Sequence, residues 1–111
     1  MAIIKVLKRN RMALNKAGNT FSEVIEYPGD SAEPTILYLP IEEILPIAIN
    51  AYGAPTVEFT NYPEERIEAD TAIWGSWDGV SQVAPSITAV RVSNTSGAAA
   101  SVCISTRTAA T

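Results

Sequence analysis

The sequence predicts an all-β domain, a small antiparallel β-sandwich or jelly roll with an extended basic N-terminal arm. Three observations lead there. Short runs of alternating apolar and polar residues recur about every ten residues, with Gly- and Pro-containing turns between them. Prolines are dense enough through residues 28–63 to forbid the helices of ten or more residues that an α/β fold needs between its strands. The chain also closes on two strand-like runs, residues 87–93 and 98–107, separated by Asn94, Thr95, Ser96 and Gly97. With 111 residues, a single domain can bury roughly two thirds of its unfolded surface, so a core is available without staples.

The elements follow in order. Residues 2–8 alternate imperfectly and predict a strand or an ordered arm; Arg9, Asn10 and Arg11 break the pattern, and residues 15–19 read as a loop. The expected division is an arm over residues 1–19 and a sandwich body over 20–111. Residues 20–27 predict a strand with Phe21, Glu23, Ile25 and Tyr27 on one face and Ser22, Val24 and Glu26 on the other, ended by a turn at Pro28, Gly29, Asp30 and Ser31. Residues 35–39 predict a second strand between Pro34 and Pro40. Ile41, Ile44 and Leu45 have helical spacing, but Pro40 and Pro46 limit that helix to about one turn. Residues 46–51 and 56–60 predict further strands, and Asn61 to Arg66 fits the start of one or two helical turns with acids near the positive end of the dipole.

The closing pair predicts a hairpin. Val90 and Val92 then share an apolar face with Val102 and Ile104, and Arg91, Ser101, Cys103, Ser105 and Arg107 take the opposite face. A hairpin alone is marginal in water. Its covering layer is expected from Phe21, Ile25, Ile36, Leu37, Val57 and Phe59. Of the two largest apolar groups, Trp74 and Trp77, one is expected to plug an end of the core and the other to face a partner.

Prolines 28, 34, 40 and 46 recur every six residues, but the residues between them share no inward pattern, so they read as strand ends and edge protection and not as a solenoid repeat. Apolar runs fall short of the roughly 20 residues of a membrane span, and the N-terminus lacks the order of a signal peptide. The expectation is a soluble protein made in the cytosol, with no membrane partner. The single Cys103 makes no internal disulfide and reads as a structural thiol. Asn94, Thr95 and Ser96 match the glycosylation sequon, and without a secretory signal they read as turn chemistry.

Catalysis finds no support. The chain has no histidine to activate Ser31 or any other nucleophile. It has no Gly-rich phosphate loop and no Cys/His zinc spacing. Glu42 with Glu43, and Glu64, Glu65, Glu68 and Asp70, lack the spacing of a calcium loop and read as solvated acids. The expectation is a protein that is not an enzyme, with no cofactor, no metal and no catalytic residue. Charge is the more telling signal. The net charge of −4 hides a first stretch, residues 1–16, with Lys5, Lys8, Arg9, Arg11 and Lys16 and no acid, followed by an acidic body. Five cations could bind phosphates. The arm has no aromatic residue for base stacking, however, and the acidic body would repel nucleic acid. Direct nucleic-acid binding is therefore disfavoured against docking on an acidic protein surface, and the expected partner-binding residues are Lys5, Lys8, Arg9, Arg11, Lys16, Trp74 and Trp77.

From Trp74 to Trp77, along residues 87–92 and at Asn94, Thr95, Ser96 and Gly97, the chain resembles small virion proteins of tailed bacteriophages, in which a tryptophan segment precedes a terminal hairpin with an arginine in its first arm. With its length and basic arm it is similar to the capsid decoration, or staple, proteins of epsilon-fifteen-like short-tailed phages. The resemblance implies a jelly-roll or sandwich virion protein on the outer capsid surface, often a homodimer, that binds the major capsid protein and clamps neighbouring capsomers. A phage tail or collar component, or a stand-alone nucleic-acid or glycan binding module, is the alternative.

Overall fold

The computed structural model describes residues 8–12, 14–15, 20–29, 31–41 and 43–108. Among them are nine strands and one short helix: β1 (Lys8–Arg11), β2 (Leu14–Asn15), β3 (Thr20–Tyr27), β4 (Ser31–Tyr38), β5 (Ala48–Tyr52), β6 (Thr56–Thr60), α1 (Glu64–Glu68), β7 (Gly75–Ser76), β8 (Ala89–Asn94) and β9 (Ala100–Arg107). One sheet has the order β1-β4-β8-β6-β7 and the other β2-β3-β9-β5. All neighbours are antiparallel except β1 and β4, which run parallel at one edge of the first sheet. The expected all-β sandwich is the fold, and strands successive in sequence mostly change sheet, as they do in jelly rolls.

The closing pair is not a hairpin. β8 pairs with β4 and β6 in the first sheet, and β9 pairs with β3 and β5 in the second. Residues 95–99 therefore arch across the core. Alternation predicts which side chains point inward but not whether two successive strands share a sheet. Val90, Val92, Val102 and Ile104 all face the core, from opposite layers. Buried Asn94 pins the arch: its Nδ2 donates to the carbonyls of Gly29 (2.9 Å) and Ala98 (2.8 Å), and its Oδ1 accepts from the Ser96 hydroxyl (2.7 Å). The sequon is turn chemistry with a buried asparagine.

Of the expected covering layer, Phe21, Leu37 and Val57 are buried in the main core, and Ile25 and Phe59 pack against it half-buried. Ile36 does not join them. It lies on the outside of the first sheet, under a second apolar cluster with Tyr38, Ala89 and Ile67 of α1, because its neighbour Leu37 has the inward position. β4 is also longer than expected and contains Pro34, tolerated at a register shift between Ser31 and Thr35. The one-turn helix expected at residues 41–45 is absent from the described part of that segment. There Ile44 bridges Thr108, and the Leu45 N–H donates to the Arg107 carbonyl at 3.0 Å.

Tyr27 ties the layers together. From β3 its hydroxyl crosses the core to the Val92 carbonyl (2.9 Å) and lies 3.0 Å from the Thr35 hydroxyl. Met12 joins the sheets at the other end, buried between β1 in one and β2 in the other, with its N–H donating to the Tyr38 carbonyl at 3.0 Å. Residues 8–12, 14 and 15 of the expected arm are thus part of the sandwich. At Gly53, φ is +84° and a Cβ would stand 2.6 Å from the Ala99 carbonyl, so the turn after β5 requires glycine.

Candidate binding surface

Of the residues expected to bind a partner, Arg11, Trp74 and Trp77 have described side chains, and Arg11 and Trp74 both border the outer cluster of the first sheet. Lys5 and Lys16 lie outside the described residues. Lys8 and Arg9 stand in β1 opposite Thr35 and Ile36. Arg11 is engaged within the molecule: its guanidinium donates to the Leu39 carbonyl at 2.7 Å, forms an ion pair with Glu64 and lies 5.5 Å from the Tyr38 ring.

Trp74 half-covers the outer cluster of the first sheet, and Arg91 stacks 4.3 Å from its ring while pairing with Glu58 at 3.0 Å. Register explains that trio, since Glu58 and Arg91 are direct cross-strand partners in β6 and β8. Arg66 likewise donates to the Thr71 hydroxyl (2.7 Å) and stacks near Tyr62. These three arginines neutralise or complete their own fold.

Trp77 has a different setting. It packs half-buried against the main core, its N–H donates to the Ser81 carbonyl at 2.8 Å, and it lines an open cavity of about 290 Å³ with Phe59, Val83 and Ile87. The loop forming one wall is organised by Asp78, whose Oδ1 accepts the Val80 and Ser81 N–H groups at 2.9 and 2.8 Å. The Ser81 hydroxyl, then the backbone N–H groups of Ser81 and Val80, lower the Asp78 carboxyl from 3.8 to about 2. Gln82 stands between this cavity and a neighbouring one of about 390 Å³ bordered by Leu45, Pro46 and Arg107. The two segments are held together by a paired bridge in which Ile47 and Val83 exchange N–H···O bonds of 2.8 Å.

Elsewhere on the surface several large apolar side chains are exposed. Ile41 is 84% exposed, Val80 87%, Tyr52 72% and Ile73 69%. Among the described residues no three His, Cys, Asp or Glu side chains are placed to hold a metal ion. Among the described side chains, Arg11, Arg66 and Arg91 are engaged within the molecule while several large apolar groups stand in solvent. Sequence reasoning singled out Trp77 by its size, but not Phe59, Val83 and Ile87 as its neighbours around a cavity, because long-range pairing brings them together. Comparison with protein-family models, curated proteins and solved structures finds no match to this chain.

Proposed function

We propose that the protein is a non-catalytic virion component that docks on the outer surface of an icosahedral phage capsid, as a homodimer, and clamps neighbouring major capsid proteins. The observation that carries this reading is the division of labour on its surface. Arg11, Arg66 and Arg91 are engaged by their own chain, while Ile41, Val80, Tyr52 and Ile73 stand in solvent. Exposed apolar groups of this size suit a protein partner whose core contact is apolar. The sequence resemblance at residues 74–77 and 87–97 is what points that partner to a capsid, although its terminal hairpin is replaced here by strands in two sheets.

The test is co-sedimentation of the purified chain with capsids that lack it. Binding is expected to persist as salt is raised and to be lost in mild denaturant, and Ile41→Asp with Val80→Asp is expected to reduce it at least roughly tenfold. No sedimentation with capsids, or binding that disappears with salt alone, overturns the reading. A glycan-binding module is the second reading, favoured by the Trp77 ring beside an open cavity. Quenching of Trp77 fluorescence by oligosaccharides, without capsid binding, selects it.

A further inference from the structure

We propose that the outer edge of β5 pairs antiparallel with β5 of a second copy, continuing the four-stranded sheet across a two-fold axis at Asn50. The inference rests on the two-copy part of the proposed function and not on the capsid.

The unpaired backbone groups can be located. The Arg107 carbonyl accepts from Leu45, on the β5 side of β9. Alternation along β9 then turns Ser105, Cys103 and Ser101 to that side, so their partners Ala48, Asn50 and Tyr52 bond inward to β9. The peptide groups of Ile49 and Ala51 point away from the sheet. The same answer comes from the other direction: Ile47 spends its N–H and C=O outward on Val83, and two-residue alternation puts Ile49 and Ala51 on the same side as Ile47. Among the described residues nothing pairs with them, and a neighbouring strand is represented only by Val83.

The ends of the edge set the register. Val83 blocks the ladder at Ile47, and Gly53, with φ +84°, turns the chain away after Tyr52. The midpoint of what remains is Asn50. Two copies related there place Ile49 of each opposite Ala51 of the other, exchanging both backbone bonds, and set the two Asn50 side chains together in a non-bonded pair where an amide can donate to its twin. Tyr52, large and exposed, falls opposite Ala48 of the other copy, which is small and exposed. No charge stands in β5 to oppose itself across the axis. The other edges lack this fitness: β2 and β7 have two residues each, and β1 would set Lys8, Arg9 and Arg11 against their own copies.

The test uses the full chain. Wild type is expected to sediment as a dimer at micromolar concentration. Ala51→Pro removes one outward N–H from each copy and no bond to β9, and is expected to weaken the dimer at least roughly tenfold with an unchanged circular dichroism spectrum. In a Cys103→Ser background, where the thiol beside position 50 is gone, Asn50→Cys is expected to give a disulfide-linked dimer on mild oxidation, since a non-bonded antiparallel pair has Cα atoms about 4.5 Å apart. Val24→Cys, exposed on the same face two strands away, is expected to give none. A monomeric wild type overturns the pairing. A dimer that withstands Ala51→Pro and shows no cross-link at position 50 overturns this edge while leaving two copies in the functional reading. Capsid binding by a monomeric wild type leaves capsid docking intact and overturns both this pairing and the two-copy part of the proposed function.

Discussion

Asp78 shows how one side chain can hold a loop that lines a cavity. Its carboxylate is lowered to about 2 because hydrogen bonds from Ser81 and Val80 favour the charged form. A folded pKa below the ordinary 3.8 means that the loop gains from the charge above about pH 4, and that this gain fades as pH falls from 3.8 through 2. In a Trp74→Phe background, Trp77 fluorescence is therefore expected to change between pH 4 and pH 2 with a midpoint near the lowered value, and Asp78→Asn to remove that transition. Trp74 and Arg91 illustrate the opposite use of large or charged groups. They resemble recognition residues by type, yet the ring covers the outer cluster and the guanidinium is shared between Trp74 and Glu58. Composition identifies such residues without saying whether the chain spends them on itself.

The arch after β8 is the element whose stability depends most on a single side chain. Asn94 is 0% exposed and has its amide on two carbonyls from separate segments. Asn94→Ala leaves both acceptors without that donor, and is expected to lower unfolding stability by about 2–3 kcal/mol, measured by denaturant titration with an unchanged slope. Asn94→Asp cannot supply the amide donors, so it is not a conservative replacement and its loss should be at least as large. The arch also explains why a hairpin is the natural expectation at this point. Val90, Val92, Val102 and Ile104 present the same inward alternation whether their strands lie side by side or face to face. The strand positions of β3, β6, β8 and β9 were legible because period-two patterning was clear in them. Ile36 was misjudged because β4 is apolar on both faces, with Leu37 in the main core and Ile36 beneath α1.

At the scale of the molecule, two weak surfaces multiply if they act together. A dimer would present Ile41 and Val80 twice, and a second contact would form at the effective concentration set by the first. Ala51→Pro is therefore expected to weaken capsid binding on the order of a hundredfold, more than its effect on any one contact explains. Capsid co-sedimentation across a concentration series checks this, and an unchanged affinity would show that each copy binds alone. The net charge of −4 is unevenly spread along the sequence, with the cations of residues 1–16 ahead of most of the acids. Part of that unevenness is already offset inside the fold, where Arg11 meets Glu64.

What the sequence determined by itself was local and periodic: strands by alternation, breaks by proline and glycine, a short helix by Pro63 and its acids, and the apolar residues each strand would bury. These depend on neighbours within a few residues, so a linear reading reaches them. The pairing of strands depends on closure over long separations. Only the tertiary structure separated β8 from β9, drew β1 and Met12 into the sandwich, set Arg91 between Glu58 and Trp74, and left β5 at the edge of its sheet among the described residues. Hydrogen bonding along a sheet edge carries little signature in side-chain pattern, because every residue but proline brings the same N–H and C=O groups. Which of them remain to be used is decided by the fold.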